Sequence, residues 1–299
     1  MRFPYDRTGG FAGPEYSLDP ILIPEFDICS GQSGTFCMMR LQCKGNIVAD
    51  IDHGPRTTDI CHYDLCLNAV EKAVGNNVDI LITPEYSIPI KLVTEILNNI
   101  SLQPRSRKVF CLSCEAIKID EFRCLISSWE ELGVYVVKDS LENTVCERMF
   151  VNVLLYLFKL NDNKLCIVPQ LKTQHMADPF LKCEAAGLSL GSTIYIFGHN
   201  KTNCFCSIIC ADCLNGEIHR QQFQLISEKI IVFHPQMNPK PRHSDFSNLR
   251  KQFYCVGIGN KIIYITANWA DGTTLNDSEN SDVGIIGDVP FLSIVSDNS

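Results

Sequence analysis

Three short segments each set one reactive side chain beside an apolar run: LITPEYS carries Glu85, PQLKTQH carries Lys172 and SIICADCL carries Cys210. A carboxylate, an ammonium and a thiol are the groups needed to activate a sulfur nucleophile and cleave a carbon–nitrogen bond. The carboxylate takes the thiol proton, the ammonium holds the developing oxyanion, and the sulfur forms the covalent intermediate. Taken singly, each residue has an ordinary reading. Cys210 is one of sixteen cysteines, and buried thiols are common core residues. Glu85 could be a solvated strand-end carboxylate, and Lys172 a lysine whose stem lies along the surface with its head in water. Together they gain weight because all three close apolar strands, and ligand sites in α/β sheets form at strand C-terminal ends.

The elements that must position them follow from the hydrophobic pattern. TFCMMRLQC reads as a strand, and in DICHYDLCLNAVEKAVGNN the residues Tyr63, Leu67, Val70 and Val74 recur at the spacing of one helix face, with Gly75 just beyond. The strand VDILITPEYS follows, and Pro84 keeps Thr83 extended, so that Glu85 leaves the sheet at its edge. Helix KLVTEILNNI, strand KVFCLSCEAI, helix SSWEELG and strand VYVVKD repeat the unit. Two hairpins interrupt it: MFVNVLLYLFKL with LCIVPQLK, then GSTIYIF with NCFCSIIC, whose second strand is expected to end at Cys210. Helix EIHRQQFQLISEK, strand IIVFHP, helix FSNLRKQFYCVGIGN and strand KIIYITAN close the pattern. Alternating strands and helices with interposed hairpins and no linker predict one α/β domain with mixed sheets. Residues 1–33, rich in Pro, Gly and Asp, read as an N-terminal extension that packs loosely or on a partner, and 34–299 as the domain.

The order Glu85, Lys172, Cys210, with steps of 87 and 38 residues, resembles the carbon–nitrogen hydrolase family, or nitrilase superfamily. The local strings are similar as well. ITPE matches the strand-end Pro-Glu, and VNVLLYLFKLNDNKLCIVPQLK matches the hairpin leading to the catalytic lysine, with Asn152 at its Asn position. SIICAD matches the nucleophile segment, with Asp212 two residues after the cysteine, while IVFHPQMNP and KIIYITANWADG match segments downstream. The resemblance covers about residues 35–272. It implies a four-layer α-β-β-α sandwich with mixed sheets, which the pattern alone does not distinguish from a three-layer fold.

It further implies a thiol hydrolase acting on a non-peptide carbon–nitrogen bond, an amide in preference to a nitrile, through an acyl-Cys210 intermediate. Glu85 would be the base, Lys172 and the Ala211 N–H the oxyanion donors, and Glu184 a second acid that hydrogen-bonds the lysine or positions substrate. Lys172 is also expected to lower the thiol pKa from its free value of ~8.5. Tyr86, His175, Asp178, Ala211 and His234 flank these segments and are the candidate substrate-binding residues. No metal or organic cofactor is implied, and the partners implied are a small amide or nitrile and a second copy of the chain, or a fused or associated domain. The sequence departs from the family pattern at Ala211, where an aromatic is usual, and at CVGIGN, which keeps only Asn260 of the usual helix end. Only 31 residues follow Asn268, and NDSENSD reads as a loop, so an abbreviated C-terminal part is expected. That expectation opens the alternative of an interaction or sensor module within a larger assembly, such as a bacterial defence system.

A net charge of −8 and a pI near 5.4 argue against direct nucleic-acid binding, which needs clustered Lys and Arg. No apolar run reaches the ~18 residues of a membrane span. MRFPYDRTGG lacks the order of a signal peptide, so a cytoplasmic protein with reduced thiols is expected. The Cys-x-x-Cys pairs at Cys111/Cys114 and Cys210/Cys213 lie 95 residues apart, not the ~15–20 of a zinc ribbon. Cys111 and Cys114 at i, i+3 on a strand would moreover point to opposite faces.

Overall fold

In the computed structural model, the structure describes residues 15–17, 24–30, 35–138, 141, 144, 148–176, 181–198, 201–238, 248, 262–278, 280–286 and 292–294. Two six-stranded mixed sheets dominate it. The first runs, in spatial order, Met38–Arg40, Ile80–Ile82, Val109–Ser113, Val153–Lys159, Leu165–Leu171 and Tyr135–Val136. Its first three strands are parallel, joined by helices His62–Gly75 and Ile90–Asn98. The hairpin predicted at 149–172 is present and antiparallel, with Val153 opposite Leu171 and Lys159 opposite Leu165. The second sheet runs Glu15–Ser17, Thr193–Phe197, Asn203–Ser207, Lys229–Gln236, Ile262–Asn268 and Leu292–Ile294. Its middle three strands, from Asn203 to Asn268, are mutually parallel.

Strand alternation decides the layers. Ile80, Ile82, Val109, Cys111, Leu154, Tyr156 and Phe158 of the first sheet pack against Tyr195, Phe197, Phe205, Ile231, Phe233 and Ile265 of the second. The odd-even partners on the far side of the first sheet, Leu81, Phe110, Leu112, Leu155 and Leu157, meet helices His62–Gly75, Ile90–Asn98 and Ile119–Glu131. On the far side of the second, Ile194, Ile196, Cys204, Cys206, Ile230, Val232 and Tyr264 meet Phe223 of helix Gly216–Gln224. Helix, sheet, sheet, helix is the four-layer order that the resemblance implies. Cys111 faces the inter-sheet core while Cys114 belongs to the helix-facing one, so the two thiols do diverge.

Four expectations are corrected. Helix His62–Gly75 buries His62, Cys66, Ala69, Val70 and Ala73, whereas Tyr63, Leu67 and Val74 sit at its flanks. Small side chains on the sheet-facing stripe let the helix approach closely, and the larger apolar ones close the seam. Of the segment expected to pack loosely or on a partner, the described residues 15–17 and 24–30 are built in. Phe26, Ile28 and Cys29 are buried between the sheets, Phe26 meeting the edges of Phe158, Phe205 and Phe197 at 5.1, 5.5 and 6.0 Å, and Glu15–Ser17 pairs with Thr193–Tyr195. Each buried Phe is worth roughly 1.5–3 kcal/mol of apolar transfer, which low periodicity does not reveal. The C-terminal part carries further strands. Thr273–Asp277 and Asn280–Ile286 pair as antiparallel strands, which take in most of the segment read as a loop, and Leu292–Ile294 pairs with Ile263–Ile265. Strand Asn203–Ser207 ends three residues before Cys210. The expected helix at 246–260, with Asn260, lies outside the described residues apart from position 248. No helix among the described residues is long and apolar enough to cross a membrane.

Strand direction gathers the site. Ile80–Ile82 and Leu165–Leu171 run the same way, two antiparallel steps apart, so the residues after each emerge at one end of the first sheet. The parallel strands of the second sheet deliver Cys210, Met237 and Trp269 to its corresponding end.

Candidate active site

The chain leaves Ile82 through Thr83 and Pro84, and Glu85 turns inward, 1% exposed. The turn is strained: Tyr86 adopts φ +59°, a left-handed conformation costly for a bulky residue. Neighbouring donors hold it. Ser87 N donates to Ser113 O at 3.1 Å, Trp269 Nε1 to Glu85 O at 2.8 Å, and His62 Nε2 lies 2.6 Å from Ser87 O. Lys172 follows the last residue of its strand, with its N–H on Asn152 O and its carbonyl taking Gly191 N–H, both at 2.9 Å. Cys210 opens the short 3-10 turn Cys210–Asn215 at φ +39°, a second strained residue at the same end of the fold.

The side chains converge. Lys172 Nζ donates to Glu85 Oε1 at 2.8 Å and to both oxygens of Glu184, at 2.7 and 2.8 Å. Lys172 is 1% exposed and Glu184 fully buried. Glu85 also accepts from Asn152 Nδ2 at 2.7 Å on Oε1 and from Met237 N at 3.0 Å on Oε2, and its charge acts on the neighbouring Cys210 thiol. Glu184 in turn takes the Tyr86 hydroxyl at 2.6 Å and Met176 N at 2.7 Å. Every ion is therefore paired or hydrogen-bonded, the condition under which charge is tolerated in a core.

Burial pushes the Glu85 carboxyl up; Lys172 opposes the shift and Glu184 adds to it. Burial works against the Lys172 ammonium, but Glu184 and Glu85 outweigh it and hold the group protonated. The Cys210 thiol departs from expectation. Burial and the adjacent Glu85 push it well above the ordinary thiol range, and Lys172 does not offset them because its charge is already shared by two carboxylates. The resting sulfur is a thiol with its base beside it.

Of the candidate binding residues, Tyr86 points to Glu184, and burial together with that carboxylate raises its hydroxyl pKa. Ala211 is buried directly after the nucleophile, and His175 is partly buried with Nδ1 3.4 Å from Met176 O. Asp178 lies outside the described residues. His234 sits on the helix-facing side of the second sheet, its Nε2 2.9 Å from Cys210 O and its Nδ1 against the Tyr264 hydroxyl. Asp212 ties the two sheets: Oδ1 accepts Thr173 N and Gln174 N at 2.8 and 2.9 Å, and Oδ2 accepts Ile209 N at 3.2 Å. Burial pushes its carboxyl up to about 7, despite those donors. Met237 and Trp269, both on Glu85, were not among the sequence candidates. Their only signal was position, each just past a strand of the second sheet.

No family model and no curated protein matches the sequence. Solved structures do. The glutamine-dependent NAD+ synthetase of Acinetobacter baumannii aligns over 88% of this chain at 14% identity and TM-score 0.50, and the chain spans 44% of that protein's length. An amidase of Nesterenkonia sp. AN1, with an active-site cysteine, aligns over 86% of this chain and 90% of its own at 14% identity and TM-score 0.42. Saccharomyces cerevisiae Nit3, of branch 10 of the nitrilase superfamily, aligns over 79% and 76% at 14% identity and TM-score 0.46. With its paired mixed sheets flanked by helices, the chain shares the fold of the part of the NAD+ synthetase that it aligns with.

Proposed function

We propose that the protein is a thiol hydrolase that cleaves a small amide through an acyl-Cys210 intermediate. The observation that carries the reading is Glu85, buried between the Cys210 thiol and the Lys172 ammonium with a raised pKa. A base held there in low dielectric can accept the thiol proton only as the sulfur attacks, and can return it to the leaving nitrogen.

In the first half-reaction the Cys210 sulfur bonds to the amide carbon as its proton passes to Glu85. The carbonyl oxygen gains charge beside Lys172 and the Ala211 N–H. The C–N bond then breaks, and the amine leaves with the proton from Glu85. In the second half, Glu85 takes a proton from water, the hydroxyl adds to the acyl carbon, and the thioester breaks, returning the proton to sulfur. A nitrile would need two additions at the same carbon before release. The amide is the simpler substrate, with one addition before release and Glu85 as proton carrier in both halves. Glu184 keeps Lys172 charged and aimed, so it acts through the lysine.

The test is incubation with a panel of small amides and hydroxylamine, followed by intact mass and hydroxamate detection. A covalent acyl adduct that disappears in Cys210→Ala supports the reading. If wild-type protein forms no adduct and no hydroxamate with any amide, the reading is wrong.

A second reading, one unit of a larger assembly, is favoured by the chain's spanning 44% of the synthetase it aligns with. Self-association belongs to the same proposal, and native mass alone and with candidate partner domains distinguishes the two.

A further inference from the structure

We infer that His234 is a positioning residue for the oxyanion site: from behind the second sheet it fixes the peptide unit whose N–H faces the reacting carbonyl. The inference rests on the hydrolase reading above and assigns His234 a place other than the substrate pocket.

The argument begins with one peptide plane. The carbonyl of Cys210 and the N–H of Ala211 belong to the same unit, and in a trans peptide they point in opposite directions. Holding the carbonyl on one side therefore aims the N–H on the other. His234 Nε2 lies 2.9 Å from Cys210 O, so this ring nitrogen carries the hydrogen and donates it. Its other nitrogen, Nδ1, faces the Tyr264 hydroxyl, which must then be the donor, and Gln236 Nε2 lies 2.9 Å from the same Nδ1. The tautomer is set by Tyr264 and Gln236. All three side chains are at most 1% exposed, on rigid strands, and the ring stands on the face opposite the inter-sheet core.

The second half of the plane carries the independent observation. Ala211 is fully buried, and among the described residues no acceptor takes its N–H. A buried backbone N–H without a partner is rare in folded proteins. It is what an oxyanion donor requires, since its partner forms only in the transition state. The plane leaves a residue held in the left-handed region, Cys210 at φ +39°, so the turn that carries it is not a relaxed one. A hydrogen bond on the carbonyl further polarises the unit and strengthens the N–H as a donor.

The role is tested with four proteins: wild type, His234→Phe, His234→Gln and Tyr264→Phe. Three measurements are made: kcat and KM for propionamide hydrolysis, inhibition by propionaldehyde, and Cys210 alkylation by iodoacetamide, followed by intact mass. Alkylation displaces iodide at sulfur and develops no oxyanion, whereas hydrolysis and hemithioacetal formation both do. For His234→Phe we expect kcat to fall roughly 10²-fold, about the effect of losing one oxyanion donor, with KM within about 2-fold. Propionaldehyde affinity should fall in parallel, and alkylation should stay within about 3-fold of wild type. His234→Gln, whose amide can donate to Cys210 O, should recover most of the loss, and Tyr264→Phe should fall between.

Two outcomes overturn the inference while leaving the hydrolase intact. One is a His234→Phe enzyme with wild-type kcat. The other is equal loss of hydrolysis and alkylation in His234→Phe and His234→Gln alike, which marks a collapsed turn rather than a misaimed donor. Wild-type protein that neither hydrolyses propionamide nor binds propionaldehyde, and forms no acyl adduct with the wider amide panel, overturns the hydrolase reading itself and this role with it.

Discussion

Glu184 holds the Lys172 ammonium with both carboxylate oxygens, at 2.7 and 2.8 Å, while Glu85 takes the same nitrogen with one, at 2.8 Å. One buried cation thus compensates two buried anions, and removing it leaves both exposed to each other. Lys172→Met should abolish turnover and cost about 3–5 kcal/mol, the usual penalty for breaking a buried pair. Adding Glu184→Gln to that variant should restore part of the stability, because one uncompensated charge is gone, while activity stays absent. Chemical denaturation of the two single variants and the double variant measures the coupling. Independent, additive losses would contradict the shared-cation account.

Asn152 donates to Glu85 at 2.7 Å and stabilises its charged form against burial. Replacing it with Ala should raise the Glu85 pKa further. A hydrogen bond to a charged group is worth about 1.5–3 kcal/mol, so the acid limb of the kcat/KM profile should move up by about one to two pH units. A pH–rate profile of Asn152→Ala on any turned-over amide checks this. An acid limb that stays in place would mean that Glu85 is not the titrating base.

Asp212 is the group whose titration should appear in stability. Its carboxyl is pushed from the usual range, near 3.8, up to about 7 by burial. Between those values the unfolded chain has lost the proton and the folded one keeps it, so stability should fall as pH rises from about 4 to about 7. Asp212→Asn should flatten that part of the curve relative to wild type. Urea midpoints at half-unit pH steps give the difference directly, and parallel curves for the two proteins would refute the assignment.

Much of this was legible in sequence because strand ends punctuate strongly. Glu85 follows an apolar run and a proline, and Lys172 ends a hairpin whose polar turn, NDNK, fixes its partner strand. What sequence did not show is what arrives from the other sheet. Trp269 reaches the Glu85 carbonyl across 184 residues, and Met237 reaches its carboxylate across 152, contacts that no local period encodes. His234 lies beside the nucleophile but on the opposite face of its strand's sheet from the core. Only the register with Tyr264, two residues before its own partner Thr266, reveals why. The raised thiol pKa is hidden from sequence for a similar reason: a lone Lys172 would lower it, but Glu184, on helix Lys182–Gly187, also claims the charge.

Two glycines separate fold from site. At Gly191, whose N–H holds the Lys172 carbonyl, an added Cβ would meet Leu171 Cβ at 2.6 Å and Leu171 O at 3.0 Å. Backbone on the last strand residue before Lys172 cannot yield without moving the lysine. Gly191→Ala should therefore cost about 1–3 kcal/mol and lower kcat as well. Gly75, at the end of helix His62–Gly75, would place its Cβ in open space. Gly75→Ala should stabilise by about 0.4–1 kcal/mol and leave kcat unchanged. Thermal melts and kcat measured on both variants decide the point. If Gly191→Ala lowers stability alone, with kcat at the wild-type value, then the ammonium does not depend on the strand end for its position. Glu184 and Glu85 would then suffice to aim it.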